Sequence, residues 1–240
     1  MIDRKRGRTG GGSGLPVKPR APVEPRPPSS LDPARLPDHL FEHEGTYRGL
    51  GYVDTDLSAR TAEAAEVEQC RFRGADLSAV NLDRSRFTDC LFENSNLANL
   101  RAGGSSLIRV RLSASRMTGF TWVDSVVKDV TLDGCRLDLS SWRFTGFNTV
   151  VFDNCNLTRA DFSSADLTGA QFVGCDLTGA RFSQAKMRGT RFVGCVLADI
   201  GGLTSWDGAV LRGHDLIALS YELAHALGIR IEDDSGPVSA

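Results

Sequence analysis

The sequence has no long hydrophobic run and few of the residues that mark a secreted or membrane protein. No apolar stretch approaches the roughly 20 residues that a membrane-spanning helix needs, and the basic N-terminus is not followed by a hydrophobic segment. Six cysteines among 240 residues are too sparse for a disulfide scaffold. We therefore expect no membrane contact and, by default, a cytoplasmic protein.

An excess of charge of one sign is also lacking. The 28 basic and 30 acidic side chains give a net charge of −2, so the chain as a whole attracts neither nucleic acid nor an anionic membrane. Direct binding of nucleic acid is therefore not expected. Hydrophobic residues make up 41% of the chain, an ordinary share for a protein that buries a core.

Motifs that carry catalysis or bind metals are missing. There is no P-loop, dinucleotide-binding glycine pattern, nucleophile elbow or C-x-x-C pair. His39 and His43 lie four residues apart beside two glutamates, but a solvated segment is a better interpretation of so weak a pattern than a metal site. The sequence predicts no catalytic residue, no cofactor and no metal site, and hence no enzyme.

What the sequence does contain is a repeat of five residues. Every fifth residue from Leu57 to Leu197 is apolar, which makes 29 positions without an insertion, of which twelve are Leu and nine are Phe. The residue two places earlier is small in most units. A period of five fits neither a helix nor a strand, so we predict a solenoid with one short extended side per unit and a corner after it.

The two repeated apolar positions define the predicted core. Its structural residues are Leu77, Phe92, Leu137, Phe152, Leu157, Phe172, Leu177, Phe192 and Leu197. All six cysteines fall at the small position, where a thiol packs like a small hydrophobic group, so core packing is favoured over a metal or redox site. Similar residues recur every twenty positions, which indicates four sides per coil.

Several units resemble the motif of the pentapeptide-repeat family, small–[DN]–[LF]–[ST]–x. A-D-L-S-A at 75–79 and A-D-L-T-G at 165–169 carry the resemblance, which extends over about 55–199 and weakens between 100 and 150. It implies an all-β solenoid, a right-handed quadrilateral β-helix of about seven coils, roughly 35 Å long at the usual strand spacing.

The predicted organisation has five parts. They are a disordered basic, Pro- and Gly-rich tail at 1–30, an N-terminal cap or transition at 31–54, the β-helix at 55–200, a C-terminal cap at 201–232 and a disordered end at 233–240. For the first tail, a solvated segment is favoured over a weak nucleic-acid tether.

The C-terminal cap is expected to contain a capping helix over 215–227. Leu216, Leu219, Leu223 and Leu227 share one face of it, and this face suits either a homodimer contact or a cap on the rod. The tail at 215–231 resembles that of the mycobacterial quinolone-resistance member of the family, where such a segment makes a dimer.

The family resemblance implies a non-catalytic binding protein with a protein partner. The leading specific hypothesis is a modulator or protector of DNA gyrase that mimics duplex DNA; the alternative is a general protein–protein interaction scaffold with no topoisomerase role. A mimic needs negative charge along the rod, yet residues 55–199 hold 17 acidic and 17 basic side chains. One continuous acidic side would favour mimicry, and mixed sides would favour the scaffold.

Overall fold

Residues 20–230 are described by a computed structural model, and the remaining residues, 1–19 and 231–240, lie outside its description. The disorder predicted for most of the first tail and for 233–240 therefore falls outside the described residues. Within 20–230 no helix is long and apolar enough to span a membrane.

Short parallel strands make up the body of the protein. In chain order the strands are β1 (Asp32–Pro33), β2 (Thr46–Arg48), β3 (Leu50–Val53), β4 (Thr61–Glu63), β5 (Glu66–Glu68), β6 (Arg71–Arg73), β7 (Asn81–Asp83), β8 (Arg86–Thr88), β9 (Leu91–Glu93), β10 (Arg101–Gly103), β11 (Ser106–Ser113), β12 (Thr121–Val123), β13 (Val126–Asp133), β14 (Gly146–Asp153), β15 (Gln171–Val173), β16 (Arg191–Val193) and β17 (Val210–Leu211).

The pairing register shows that one turn contains twenty residues. Phe72 pairs with Phe92, and Leu112 pairs with Leu132, each in a parallel ladder. Four sides follow from this register. We name them by their residues: side 1 holds 55–59, side 2 holds 60–64, side 3 holds 65–69 and side 4 holds 70–74, each repeated every twenty residues.

Each corner of the solenoid requires a left-handed backbone. In all 29 units the residue two places after the central apolar one has a positive φ, from Ala59 at 53° to Asp199 at 56°. This conformation turns the chain from each short side onto the next one, and Gly adopts it without strain. Gly, Asn, Asp and Ala occupy most of these corners, which explains why the fifth position of the repeat is small or polar.

The core is a set of stacked columns inside the four sides. Phe152, Phe172 and Phe192 lie parallel on side 4, with ring centroids 4.8 Å and 5.0 Å apart. Each ring stacks on its neighbour one turn away because strands repeat at about 4.8 Å. On side 2, Phe120 occupies the small position and lies parallel to Trp122 at 5.6 Å.

The stretch from 100 to 150, where the family motif is weakest, continues the solenoid without a break. It contains the longest strands, β11, β13 and β14, each eight residues long and each passing from side 3 to side 4. Val110, Val130 and Val150 sit buried at the small position of side 4 and favour extended backbone. The hydrogen bonding between strands is thus regular even where the residues depart from the family motif.

The solenoid has about nine turns, so the prediction of about seven coils was too low. The reason is that pairing begins earlier and ends later than the unbroken five-residue phase. Tyr47 and Tyr52 already pair with the next turn through β2 and β3, and Leu211 pairs with Phe192 through β17 although the phase has slipped by one residue. Phe41 packs edge-on against Tyr47, 5.1 Å away, at the N-terminal end.

The C-terminal end is closed by a 3-10 turn and a helical segment. The turn η1 spans Leu203–Ser205, and the helices are α1 (Gly213–Ala218) and α2 (Ser220–Ala226). Together α1 and α2 form the C-terminal helix predicted over 215–227, with a local irregularity at Leu219, which keeps a right-handed helical conformation. Trp206 stacks on Phe192 at 4.5 Å and so extends the aromatic column of side 4 by one ring.

Residues 20–30, predicted to be disordered, lie against the rod. The Val23 N–H donates to Asp129 Oδ1 at 3.3 Å, and the Arg26 N–H donates to Asp89 Oδ1 at 3.2 Å. Four prolines limit the freedom that this segment loses on docking, because proline fixes φ in the unfolded chain as well. The prediction from composition therefore overestimated the conformational entropy that residues 20–30 lose on docking.

Candidate interaction surfaces

The residues predicted to form the core lie inside the solenoid. Each is at most 3% exposed, as are most central residues of the repeat. The structure places them as Leu77, Leu137, Leu157, Leu177 and Leu197 on side 1, and Phe92, Phe152, Phe172 and Phe192 on side 4. They are packed against one another and offer no surface to a partner.

The four leucines of the C-terminal face are divided between two roles. Leu219 is 1% exposed and Leu223 packs against the core, so both help to close the last turn. Leu216 is 49% exposed and Leu227 is 74% exposed. Asp215 lies within α1 and accepts a hydrogen bond from the Gly194 N–H at 3.4 Å, which ties the helix to the last turn.

The cysteines stack in two columns within the core. Cys135, Cys155, Cys175 and Cys195 lie on side 1, and Cys70 and Cys90 lie on side 4; all six are buried free thiols. The Cys70 thiol donates to the Glu68 carbonyl at 3.3 Å, and burial raises the pKa of this thiol to about 11. Among residues 20–230 no group of His, Cys, Asp and Glu is arranged to hold a metal ion.

Charges of both signs lie on every side of the rod. Between residues 55 and 199, sides 1 to 4 carry five, four, five and three acidic side chains against three, five, five and four basic ones. Side 1 has the largest acidic excess, but its outward column is interrupted by Arg116 and Arg136 between Asp76 and Asp176. The described rod therefore has no continuous acidic side.

Two bulky apolar residues stand out at the corners. Leu139 and Phe144 both have a φ of 60°, and each is 57% exposed. They flank one stretch of side 2, and the Arg143 guanidinium lies over the Phe144 ring, 5.4 Å from its centroid. A left-handed conformation is strained for residues with such bulky side chains. Exposing these side chains to water contributes nothing to the stability of the isolated protein.

Leu139 borders a shallow hollow of about 530 Å³. Arg159, Asp161, Gly179 and Arg181 are among the residues that line the hollow. Exposed apolar groups ringed by charges of both signs are typical of a protein contact. The sequence held a signal for this surface, since Leu139 and Phe144 are the only bulky apolar residues among the 29 corner positions.

A row of charged residues lies at the corner between sides 3 and 4. Asp89, Arg109 and Asp129 follow one another at intervals of twenty residues and lie beneath the N-terminal segment. Arg109 Nε and Nη2 donate to the two oxygens of Asp89, both at 2.7 Å. Their common spacing was visible in the sequence, but nothing there indicated which segment covers them.

The parallel strands, twenty-residue turns and closed interior define a four-sided β-solenoid protein. Sequence comparison agrees: the model described as "Pentapeptide repeat region" matches residues 65–142, and the model "Pentapeptide repeats (8 copies)" matches 155–194. The chain therefore belongs to the pentapeptide-repeat family. No curated protein sequence matches it.

Solved structures of pentapeptide-repeat proteins are similar to this chain at low sequence identity. QnrB1, a plasmid-mediated fluoroquinolone resistance protein, is 16% identical with a TM-score of 0.30; the match covers 79% of this chain and all of that one. HetL from the cyanobacterium Nostoc sp. strain PCC 7120, involved in heterocyst differentiation regulation, is 17% identical with a TM-score of 0.36, covering 71% and 91%.

Proposed function

We propose that this protein is a non-catalytic binding rod that holds a protein partner against side 2 and its two corners at Leu139 and Phe144. The observation that carries the proposal is the exposure of both residues in a strained backbone conformation. Their strain and exposure lower the stability of the free protein, and a partner that buries them compensates for that loss.

The charge distribution supports a scaffold over a mimic of duplex DNA. A mimic must present closely spaced negative charge along one side to compete for a site that binds phosphates. On this rod, basic residues interrupt the acidic ones on each side within 55–199. Mixed charge instead suits a specific protein contact, where complementary pairs select the partner.

Modulation of DNA gyrase is the second candidate. It is supported by the exposed Leu216 and Leu227, which offer an apolar surface on the terminal helices for a second copy of the chain. A homodimer of this kind would present two rods symmetrically to a dimeric topoisomerase. The absence of a continuous acidic side in the described rod weighs against this candidate.

Site-directed photo-crosslinking tests the first proposal. A photo-reactive phenylalanine analogue at position 139 or 144 should give crosslinks to one partner, while the same analogue at Ala59, on the corner of Leu139 four turns away, should not. The affinity of the purified partner should then fall at least tenfold for the L139G/F144G variant. Equal affinity for this variant and the wild type would remove side 2 as the binding surface.

A supercoiling assay separates the two candidates. Purified protein titrated into DNA gyrase, with and without a fluoroquinolone, is expected to leave supercoiling unchanged if the scaffold proposal is right. Inhibition of supercoiling, or rescue from the drug, that is lost in the L216S/L227S variant would favour the gyrase candidate instead.

A further inference from the structure

The corner beneath residues 20–28 is built to hold a peptide backbone. Asp89 is 6% exposed and Asp129 is 7% exposed, and each accepts a hydrogen bond from a backbone N–H of the segment. The Gln69 side-chain amide also donates to the Arg26 carbonyl at 3.3 Å. Buried carboxylates aimed at main-chain donors recognise the course of a peptide rather than particular side chains.

The spacing of these acceptors matches polyproline II geometry. Asp129 and Asp89 are two turns apart, or about 9.6 Å at a rise of about 4.8 Å per turn. Their donors, Val23 and Arg26, are three residues apart, and a polyproline II helix advances about 9.3 Å in three residues, which is one turn. A peptide in this conformation therefore presents one N–H to every second turn of the rod.

The sequence of the segment fits this geometry. Four prolines favour the extended conformation, namely Pro22, Pro25, Pro27 and Pro28. Because proline has no backbone N–H, the segment has few other donors that need a partner. Glu24 lies between the two donors, and its carboxylate contacts Arg111 at 3.4 Å. The matching ligand is thus a proline-rich peptide with an N–H at positions i and i+3 and an acidic residue between them.

We call the surface of this corner from Gln69 to Asp129 the peptide groove, and it continues past Arg20 toward the C-terminal end. This continuation has a volume of about 810 Å³, and its lining residues include Phe147, Asp166, Gly169, Gly189 and Arg191. Of the described N-terminal segment, only Arg20 reaches it. The hydrogen bonds that hold the segment itself are long, at 3.2–3.3 Å.

We propose that this groove is a binding site for a proline-rich peptide of a partner protein, and that residues 20–28 are its tethered occupant. The tether keeps the segment at a high effective concentration, so a partner's peptide binds only by displacing it. Only a peptide with enough affinity to compete with the tethered N-terminal segment will therefore bind. This site is separate from Leu139 and Phe144, and the inference does not depend on the function proposed for them.

The test uses the full chain and a synthetic fluorescent peptide of residues 20–30. The V23P/R26P variant removes both donor N–H groups while keeping the extended conformation, so its own segment should leave the groove. By fluorescence anisotropy the peptide should bind this variant at least tenfold more tightly than the wild type. A21P is the matched control: it adds a proline where no N–H contact is described, and it should behave as the wild type.

Three further measurements decide the outcome. The same peptide with proline at both donor positions should fail to compete, and D129A added to V23P/R26P should weaken binding at least fivefold. The proposal is overturned if the peptide binds wild type and V23P/R26P equally, or binds neither while both melt at the same temperature. A concentration-dependent dimer of the wild type that V23P/R26P lacks would assign the groove to a second copy of this chain instead.

Discussion

Arg109 forms a two-pronged ion pair with Asp89, and the carboxylate oxygen that accepts from Arg109 Nε, Oδ1, also accepts the Arg26 N–H. The Arg109 guanidinium, through its hydrogen bonds, holds the pKa of Asp89 below its usual range. Arg109 therefore keeps the Asp89 carboxylate ionised, and this carboxylate accepts a hydrogen bond from the N-terminal segment.

This relationship predicts a pH dependence of segment docking. Because the folded-state pKa of Asp89 is lowered, its contribution is present above the unfolded pKa and is lost only as the pH falls through the lowered folded value. Docking should thus be constant between about pH 5 and 8, well above the ordinary aspartate pKa of about 3.9. An NMR titration of the Arg26 amide should show its transition below the normal aspartate range.

Replacing Arg109 should raise the midpoint of that transition. In R109Q the Asp89 carboxylate loses both charged hydrogen bonds, so its pKa rises and the segment docks less firmly at neutral pH. Hydrogen exchange in the peptide covering 21–30 should become at least threefold faster. R101Q, which alters an exposed arginine on side 2, is the control; equal exchange in both variants would contradict the assigned role of Arg109.

A second prediction concerns the strained corners at Leu139 and Phe144. Replacing either residue with Gly relieves a left-handed strain of about 1–2 kcal/mol in the folded protein. It also costs about 0.5–1 kcal/mol of stability, because Gly has more conformational freedom to lose on folding. Because the lost strain exceeds or equals the entropy cost, the free energy of unfolding should stay level or rise by up to about 1.5 kcal/mol. Urea denaturation measures this, and a clear loss of stability would show that the two side chains serve the fold rather than a partner.

A third prediction compares two glycines near the C-terminal end. Gly202 and Gly194 both have a positive φ, but a Cβ on Gly202 would lie 2.7 Å from the Phe182 carbonyl carbon and against the Ser183 backbone. A Cβ on Gly194 meets nothing within 4 Å. G202A should thus lose about 1–3 kcal/mol more than G194A, because overpacking displaces backbone. Thermal melting of the pair checks this; equal losses would mean that the last turn adjusts freely.

The buried thiols carry a fourth prediction. All six thiols are buried, so Ellman's reagent should modify none of them until the protein unfolds. Burial also raises the pKa of Cys70 to about 11, so this thiol stays protonated at pH 8. The contribution of Cys70 to stability is present below the unfolded thiol pKa and is lost as the pH rises toward 11. Rapid labelling of native protein at pH 8 would show that the columns open.

Much of the fold could be predicted from the sequence because the repeat is local. The phase from Leu57 to Leu197 sets which residue faces inward, and the likeness of residues twenty apart, such as Phe152 and Phe172, sets the number of sides. The ends were harder to predict. Leu211 pairs with Phe192 after a one-residue slip, and Tyr47 pairs ahead of the regular motif, so counting motifs gave too few turns.

The sequence by itself determined the inward columns, the corners and the balance of charge, since the first two follow from the five-residue repeat and the third from composition. Only the tertiary structure decided which surfaces are free and which are covered. Leu219 and Leu216 look equivalent on a helix, but the end of the rod buries one and leaves the other exposed. Val23 meets Asp129 across 106 residues, and no local pattern encodes so distant a contact.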